Sequence, residues 1–410
     1  MTKEKKDLTK YYLELDKKWT AHNYKPIPVV IEKAKGIWVW DVNGKKYMDC
    51  LSAYSSQNFG HMHPKLVKAL LKQSKKVTLT SRAFCNDAMG EAAKKICELT
   101  GYEVFLPMNT GTEAVESGLK IARKWGYEKK GVKENEAEII VCENNFHGRT
   151  ITIVGFSTDP DAFQGYGPKT PGFKIIPYGD VESLEKAITK NTVAFLVEPI
   201  QGEAGVLLPP KDYLKEVQKI CEKNNVLLIA DEIQTGFCRT GALLACDHAN
   251  IKPDITLVAK AIGGGVFPVS GVLSRWDIMD VLTPGTHGST WGGNSLGMAV
   301  LGAVCDLIQE EDFANRSLEL GEYFVEGLKR VQLKHPNKIK EVRGLGLLTA
   351  IELSDKARPY TEAMMNNSPV GLLAKETHEF SIRFAPPLVV TKSNLDWALG
   401  VIEKIFDEVN

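Results

Sequence analysis

The sequence predicts an α/β protein, with a large domain built on a mostly parallel sheet flanked by helices and a smaller α+β domain. Short apolar, β-branched runs alternate with longer segments of helical periodicity in the middle of the chain, as in successive βαβ units. After about residue 310 this alternation gives way to a mixed pattern of helices and strands. At roughly 150 residues per domain, the 410 residues suggest about two or three domains.

Four runs in the middle of the chain are typical of buried strands: EIIVCEN (138–144), VAFLVEPI (193–200), VLLIADE (226–232) and ITLVAK (255–260). Segment 211–225, KDYLKEVQKICEKNN, has apolar residues at helical spacing and is expected to form a helix between two of these strands. Each of the four runs has a polar or charged residue at or near its end: Glu143, Glu198, Asp231 and Lys260. Because ligands of parallel sheets bind at the carboxyl ends of the strands, the functional site is expected there.

The remaining elements suggest three segments. Residues 1–58 are expected to form an N-terminal arm that joins the small domain, with a hairpin at Asn43-Gly44. Residues 59–309 form the large domain, and residues 310–410 form the C-terminal small domain. In the last segment, VRGLGLLTAIEL and IRFAPPLVV are expected to be strands, and the chain ends in an amphipathic helix.

Composition argues against several classes of protein. Lys plus Arg and Asp plus Glu number 51 each, which argues against a nucleic-acid-binding surface as the main function. None of the eight cysteines forms a Cys-x-x-Cys pair, as expected for free thiols in a reducing compartment. The sequence has neither a signal core nor the ~20 consecutive apolar residues of a membrane span. A cytoplasmic protein without nucleic-acid or membrane partners is therefore expected.

The carboxylate of Asp231 and the amine of Lys260 are expected at neighbouring strand ends. A plain salt bridge is one interpretation, because a buried acid needs a cationic partner. The other is a site for pyridoxal 5′-phosphate, which requires a lysine that reacts with its aldehyde and an acid that holds its ring nitrogen protonated. Arginine could not replace Lys260, since its guanidinium does not deprotonate. Gln234 is placed to bond the phenolic oxygen of such a ring.

A phosphate group has candidate binding sites at two places. Thr110-Gly111-Thr112 precedes a strong helical pattern, so backbone N–H groups at the helix start can bind an anion. The loop GTHGSTWGGN (285–294) is rich in hydroxyls and glycines, but by itself it is typical of an ordinary loop.

The motif NNFHGRT (144–150) follows another predicted strand end. Within it, Phe146 can stack on a planar ring or belong to the core, and Arg149 can bind a carboxylate. The histidines at 61, 63 and 147 have no matching acidic or thiol cluster in the sequence, so no metal site is expected.

Two motifs at fixed spacing identify a family. DEIQTGFCRTG (231–241) and PDITLVAKAIGGG (253–265) resemble the signature of the class III, or subgroup II, pyridoxal-phosphate-dependent aminotransferases. The resemblance extends over most of the chain. It implies the type I fold of these enzymes and a homodimer with active sites at the subunit interface.

Further motifs resemble the ornithine aminotransferases within that family: HNYKPIPV (22–29), LSAYSSQN (51–58), TLTSRAF (78–84), PMNTGTEA (107–114), NNFHGRT, EPIQGEAG (198–205), HGSTWGGN and IRFAPPL (382–388). This resemblance implies transfer of the δ-amino group of L-ornithine to 2-oxoglutarate. The implied cofactor residues are Lys260 at the aldehyde, Asp231 at the ring nitrogen, Gln234 at the phenolic oxygen, Phe146 on the ring, Gly111 and Thr112 at the phosphate, and Ser289 and Thr290 at the phosphate of the other subunit. The implied substrate residues are Tyr24, Tyr54, Arg149, Glu203 and Arg383.

The implied substrate roles solve a problem of specificity. Arg383 would hold the carboxylate next to the reacting carbon of glutamate, but ornithine has no carboxylate beside its δ-carbon. Glu203 would pair with Arg383 when ornithine binds, which removes an attraction for the wrong orientation. Arg149 would hold the distant carboxylate, Tyr54 would shape the pocket, and Tyr24 would receive the α-amino group. Alternatively, Tyr24 packs beside the two neighbouring prolines.

Each rival function would require a different set of residues. An N-acetylornithine or 4-aminobutyrate aminotransferase would have no use for Tyr24, because those substrates lack a free α-amino group. A nucleotide-binding oxidoreductase needs Gly-x-Gly-x-x-Gly, and GLGLLT (344–349) lacks the third glycine. The presence of all the implied catalytic residues argues against a regulator that binds the cofactor without catalysis. Three residues depart from the family pattern: Cys238 replaces a common glycine, and Phe59 and Trp291 are expected to alter pocket volume.

Overall fold

The computed structural model describes residues 7–409 and contains one large and two small sheets. The strands are β1 Ile31–Lys35, β2 Trp38–Asp41, β3 Lys46–Asp49, β4 Val104–Met108, β5 Glu138–Cys142, β6 Phe173–Ile176, β7 Thr192–Val197, β8 Leu227–Asp231, β9 Ile255–Val258, β10 Ser270–Ser274, β11 Ile339–Leu345, β12 Leu348–Leu353, β13 Val370–Leu373, β14 Lys375–Thr377 and β15 Ser381–Phe384.

The helices alternate with these strands along the chain. They are α1 Leu8–Trp19, α2 Ser52–Ser55, α3 Pro64–Ser74, α4 Asp87–Thr100, α5 Gly111–Trp125, α6 Ile151–Gly155, α7 Pro160–Phe163, α8 Val181–Ala187, α9 Tyr213–Lys223, α10 Trp276–Met279, α11 Ser295–Glu310, α12 Phe313–Lys334, α13 Arg358–Asn366 and α14 Lys392–Glu408. A π-helical turn, Gly126–Lys130, extends α5, and two 3₁₀ turns span Ala245–Ala249 and Lys260–Gly263.

The large sheet has the strand order β4-β10-β9-β8-β7-β5-β6. Strands β6, β5, β7, β8 and β9 are parallel, and β10 lies antiparallel between β9 and β4. Successive side chains of β5 enter different cores, because Ile139 packs on the α5 side and Ile140 on the α9 side. The predicted α/β class with a mostly parallel, helix-flanked sheet is confirmed.

The four predicted central strands are present as β5, β7, β8 and β9, but they end earlier than expected. The predicted run 255–260 stops at Val258, since Lys260 has φ +47° and leaves the extended conformation. Similarly, β7 ends at Val197, one residue before Glu198. The functional side chains therefore lie just beyond the ordered strands, on loops fixed by the sheet.

The two small sheets are built from the chain ends. β11-β12-β15-β14 is antiparallel, and the predicted single strand VRGLGLLTAIEL is wrong because it turns at Gly346, where φ is +55°. In the other sheet, β1-β2-β3-β13, the expected hairpin joins β2 to β3, with Gly44 at φ +87°. Strand β13 pairs in parallel with β3, so residues from both ends of the chain share this sheet. Within residues 7–409 no helix is both long and apolar enough to cross a membrane.

Replacing Gly321 by Ala is expected to destabilise the contact between α12 and the β11–β12 turn. A Cβ atom at Gly321 would lie 2.0 Å from the carbonyl oxygen of Gly346, so the helix backbone must shift. We expect the variant to lose about 2–3 kcal/mol of the free energy of unfolding, measured by urea titration. The control is Gly400→Ala in α14, where a Cβ meets nothing within 4 Å. That variant should gain about 0.5–1 kcal/mol; equal effects of the two would contradict the close approach.

Candidate active site

A cavity of about 690 Å³ lies at the carboxyl ends of the central strands. Most of the residues predicted from sequence line it: Tyr24, Gly111, Thr112, Phe146, Arg149, Asp231, Gln234 and Lys260. Glu203, Arg383 and Tyr54 do not line it, but Glu203 and Arg383 bond to Gln234, which does. Ser289 and Thr290 do not line it; Ser289 Oγ instead accepts a hydrogen bond from Asn109 Nδ2 at 2.9 Å.

Lys260 follows β9 directly and starts a 3₁₀ turn in a left-handed backbone conformation, with φ +47°. Burial lowers the pKa of the Lys260 amine, and although Glu203 and Asp231 oppose the shift, the lowered value prevails. No ion pair joins Lys260 to Asp231 in the part of the chain that the structure describes. The simple salt-bridge interpretation is therefore wrong, and the amine is available for chemistry.

The ionic partner of Asp231 is His147, which sequence reasoning considered only as a metal ligand. Asp231 is 5 % exposed, and its Oδ2 lies 2.7 Å from His147 Nδ1. Its Oδ1 accepts a hydrogen bond from the Ile233 backbone N–H at 3.1 Å. Burial disfavours the cation of His147, but the Asp231 carboxylate outweighs burial and raises the pKa of the imidazole. The position of His147, four residues after the Glu143 strand end, was a signal that could have placed it here.

Glu198, noted in the sequence only as a strand end, is a second site residue that was missed. Its carboxylate is buried, and Oε2 accepts a hydrogen bond from the Phe146 backbone N–H at 3.0 Å. Burial raises the pKa of Glu198 to about 7, helped by Asp231 and opposed by His147. The floor of the cavity thus holds two carboxyl groups beside one imidazole.

The start of α5 provides an anion site at the other end of the cavity. The Thr110 hydroxyl accepts from the Glu113 N–H, and the Glu113 carboxylate accepts from the N–H groups of Asn109 and Thr110. Among the described residues, no protein acceptor binds the N–H groups of Gly111 and Thr112. These two donors at a helix start fit a phosphate. The chemistry of this donor set, with Lys260 and Asp231, fits the predicted cofactor.

Arg383 is 1 % exposed and reaches the site from β15. Its Nη1 donates to Glu203 Oε1 at 2.8 Å and to Gln234 Oε1 at 2.9 Å, while Gln234 Nε2 donates to Glu203 Oε1 at 3.0 Å. Burial opposes ionisation of Glu203, but Arg383 and Lys260 overcome it and lower its pKa to about 2. The Nε and Nη2 atoms of Arg383 have no partner among residues 7–409. The guanidinium is thus held by one carboxylate and has unused donors.

Tyr54 packs against Arg383 from a strained turn. The ring centroid lies 4.9 Å from Arg383 Cζ. All four residues of α2 have positive φ, between +45° and +76°, so this turn is left-handed although it contains no glycine. Asp49 Oδ1 accepts from the N–H groups of Leu51 and Ser52, which fixes the start of the turn.

The outer part of the cavity contains the remaining predicted residues. The side chain of Tyr24 is 77 % exposed, so packing beside the prolines does not bury it. Arg149 Cζ lies 5.7 Å from the centroid of the Phe146 ring. Phe59 does not line the cavity but packs against Phe313, so the expectation that it alters pocket volume is wrong. Trp291 does not line the cavity of its own chain, and its effect on pocket volume stays a prediction.

Comparison with known proteins agrees with this geometry. The model of the family "Aminotransferase class-III" matches residues 19–406. The chain belongs to the class-III aminotransferases. Enzymes of this class exchange amino groups between amino acids and keto acids. The chain is 55 % identical over 397 residues to an ornithine aminotransferase of Brevibacillus brevis, covering 97 % of this chain and 98 % of the relative.

Solved class-III aminotransferase structures have the same fold. An ornithine aminotransferase of Toxoplasma gondii, with partial occupancy of pyridoxal phosphate at its active site, has a TM-score of 0.96 and 46 % identity, over 98 % of this chain and 94 % of that chain. An acetylornithine aminotransferase of Elizabethkingia anophelis has a TM-score of 0.88 and 47 % identity, over 98 % and 99 %. Structural similarity alone does not separate these two activities, whereas curated relatives at 55 % and 54 % identity are ornithine aminotransferases.

Replacing Glu198 by Gln is expected to remove a pH-dependent contribution to stability. The pKa of Glu198 is raised from 4.5 to about 7, so between these values the unfolded chain loses a proton that the folded protein keeps. Wild-type stability therefore falls as pH rises through this window, and the glutamine variant should escape that loss. Relative to wild type, its free energy of unfolding should rise by about 3 kcal/mol across the window.

The measurement is urea unfolding of the cofactor-free protein at several pH values. Glu143→Gln, which changes an exposed carboxylate after β5, is the control and should show no such trend. A difference between Glu198→Gln and wild type that stays constant from pH 4 to pH 8, roughly, would mean that Glu198 titrates normally.

Proposed function

We propose that this chain transfers the δ-amino group of L-ornithine to 2-oxoglutarate, giving glutamate 5-semialdehyde and glutamate, with pyridoxal 5′-phosphate as cofactor. The observation that carries the proposal is the Glu203–Arg383 pair, bridged by Gln234. It occupies the arginine that an α-carboxylate would otherwise bind. The close similarity to ornithine aminotransferases supports the same donor.

The residues of the cavity would hold the cofactor by its separate groups. Lys260 would bind the aldehyde carbon, and Asp231, oriented by His147, would hold the ring nitrogen. The N–H groups of Gly111 and Thr112 would bind the phosphate, Phe146 would lie on the ring, and Gln234 would approach the phenolic oxygen. When bound, the cofactor supplies an electron-withdrawing ring that stabilises negative charge on the carbon that loses a proton.

Lys260 acts as the general base in this proposal. With the cofactor bound, the free amine of Lys260 would take a proton from the δ-carbon of ornithine. Burial lowers the pKa of this amine, which favours the neutral form that a base requires. The Asp231 carboxylate, held in place by His147, would keep the ring nitrogen of the cofactor protonated. Lys260 would thus move the proton at the substrate carbon, and Asp231 would hold the proton on the ring nitrogen of the bound cofactor.

Orientation of the donor depends on the charges around the cavity. Arg149 would bind the carboxylate of ornithine, Tyr24 would receive its α-amino group, and Tyr54 would shape the pocket beside Arg383. In the second half-reaction Glu203 would release Arg383, whose unpaired Nε and Nη2 would then bind a carboxylate of 2-oxoglutarate. One arginine thereby serves the acceptor without misdirecting the donor.

We also propose that the enzyme works as a homodimer in the cytoplasm. Ser289 and Thr290 lie outside the cavity of their own chain, as a role at a second copy's phosphate site would require. The rival function is N-acetylornithine transamination, because an acetylornithine aminotransferase is among the structural relatives. The exposed Tyr24 at the cavity mouth favours a donor with a free α-amino group instead.

The function is tested with purified holoenzyme and no keto acid. L-ornithine, N-acetylornithine and 4-aminobutyrate are added separately, and loss of the yellow colour of the bound cofactor is followed. Rapid bleaching by ornithine, with pyrroline-5-carboxylate trapped as product, supports the proposal. Bleaching by another donor alone would overturn the role of Tyr24, and a protein that binds no cofactor would overturn the function.

Replacing Lys260 by Ala is expected to abolish turnover, because the general base is lost. The fall should be at least about 10²–10⁴-fold, the usual worth of a general base. Steady-state activity and cofactor content after dialysis are measured together, since the phosphate site should still bind cofactor. Lys252→Ala, outside the cavity, is the control and should retain activity. Full activity of Lys260→Ala would refute the assignment.

Replacing Glu203 by Ala is expected to shift donor preference from ornithine towards L-glutamate. The change leaves Arg383 without its carboxylate partner, so the α-carboxylate of glutamate can bind it. We expect the ratio of ornithine to glutamate half-reaction rates to fall about tenfold or more, measured by stopped-flow spectroscopy. An unchanged ratio would rule out the switch, and Glu143→Ala is the matched control.

A further inference from the structure

We propose that Arg343 positions the loop that carries Glu203 and thereby maintains the preference for the δ-amino group. The Glu203 loop is defined here as Gly202–Gly205. The inference rests on the proposed function, since it concerns the specificity of that reaction. Arg343 does not touch the cavity and is therefore a positioning residue rather than a catalytic one.

Two arginines hold the two ends of the Glu203 loop. Arg383 Nη1 donates to the Gly202 carbonyl oxygen at 3.1 Å, and Arg343 Nε donates to the Gly205 carbonyl oxygen at 2.7 Å. Within the loop, the Gly205 N–H donates to the Gly202 oxygen at 3.3 Å. The loop is therefore fixed at both ends to the small antiparallel sheet.

The register of that sheet places the two arginines side by side. Ala350 in β12 pairs with Arg343 in β11 and with Arg383 in β15, so the three residues form one row across the sheet. Directly paired residues lie on the same face, and the outer two are about 10 Å apart at two strand spacings. The small, fully buried Ala350 leaves room for the loop to approach both guanidinium groups.

Arg343 is the more permanent of the two anchors. Its Nη1 donates to Glu341 Oε2 and its Nη2 to Glu352 Oε2, each at 2.6 Å, so its charge is balanced without Glu203. The backbone packs closely on it: a Cβ at Gly205, whose φ is +102°, would lie 2.9 Å from Arg343 Nη2. In contrast, Arg383 must release Glu203 when it binds the keto acid.

This difference gives Arg343 its role in the cycle. While Arg383 is engaged by a substrate carboxylate, the bond from Arg343 to Gly205 keeps the loop in place. Glu203 then needs only a side-chain movement to return to Arg383. Without Arg343 the Gly205 end of the loop loses its bond to the small sheet, although the backbone bridge between Gln201 and Leu207 still closes the base of the loop. Glu203 is then held less firmly and pairs less often with Arg383, so α-amino donors gain access.

The test uses the Arg343→Met holoenzyme and the half-reactions with L-ornithine and L-glutamate. The ratio of the ornithine rate to the glutamate rate should fall about tenfold, as for loss of a charge-assisted hydrogen bond. Glu341→Gln is the matched control: it removes an exposed partner of the same guanidinium and keeps the bond to Gly205. Its ratio should stay within about twofold of wild type.

The decisive comparison repeats Arg343→Met in the Glu203→Ala background. There the loop has no carboxylate to position, so the ratio should change by less than about twofold. An equal effect in both backgrounds would mean a general structural role and would overturn the proposal. An unchanged ratio in both backgrounds would overturn it as well.

Loss of Arg343 leaves two carboxylates unpaired, so a second variant guards against misfolding. Arg343→Met with Glu352→Gln removes one of these charges, and a folded double variant with the wild-type ratio would overturn the proposal. If wild type gives no glutamate 5-semialdehyde from ornithine, the proposed function fails separately. The glutamate rate alone then still tests Arg343, since Arg343→Met should raise it only when Glu203 is present.

Discussion

The site depends on one buried charge, the guanidinium of Arg383. It comes from the small antiparallel sheet and is almost completely buried, and among residues 7–409 its one carboxylate partner is Glu203, which follows a strand of the large sheet. A buried cation without a partner is costly, so the two parts of the protein must meet in a register that brings these groups together. Gln234, the ring of Tyr54 and the Gly202 end of the Glu203 loop all contact that guanidinium.

Local pattern predicted the centre of the large sheet but not its margins. β5, β7, β8 and β9 are continuous apolar runs, and the structure confirms them. Strands β4, β6 and β10 were not predicted from the sequence. In β4, Pro107 disfavours a strand, but it is accommodated because β4 lies at the edge of the sheet. β10 contains Gly271 and two buried serines, whose hydroxyls bond backbone carbonyls that only the folded protein places there. The pairing of β13 with β3 joins distant segments, and no local signal encodes it. The segment boundaries after residues 58 and 309 stay predictions.

The residues of the candidate site likewise divide into those that the sequence predicted and those that it did not. Asp231 and Lys260 were predictable because residues after parallel strands share one edge, and the structure brings both to one cavity. The strand-end rule could also have placed His147 at this edge, but no local pattern shows that its ring pairs with Asp231, 84 positions away. The glycine commonly found at position 238 has a physical reason here: Cys238 has φ +71°, a conformation that glycine adopts without steric cost. The functional roles of the individual residues stay predictions.

The left-handed turn that carries Tyr54 has a consequence for how such a protein can change. Each non-glycine residue in this conformation costs roughly 1–2 kcal/mol, and α2 contains four in succession. Glycine would relieve that cost, but it would also free the backbone beneath the ring that lies on Arg383. Heat resistance and a rigid pocket wall are therefore opposed at these positions. A lineage under selection for stability alone would therefore loosen the support of the buried Arg383 at a turn that lies outside the strands of the large sheet.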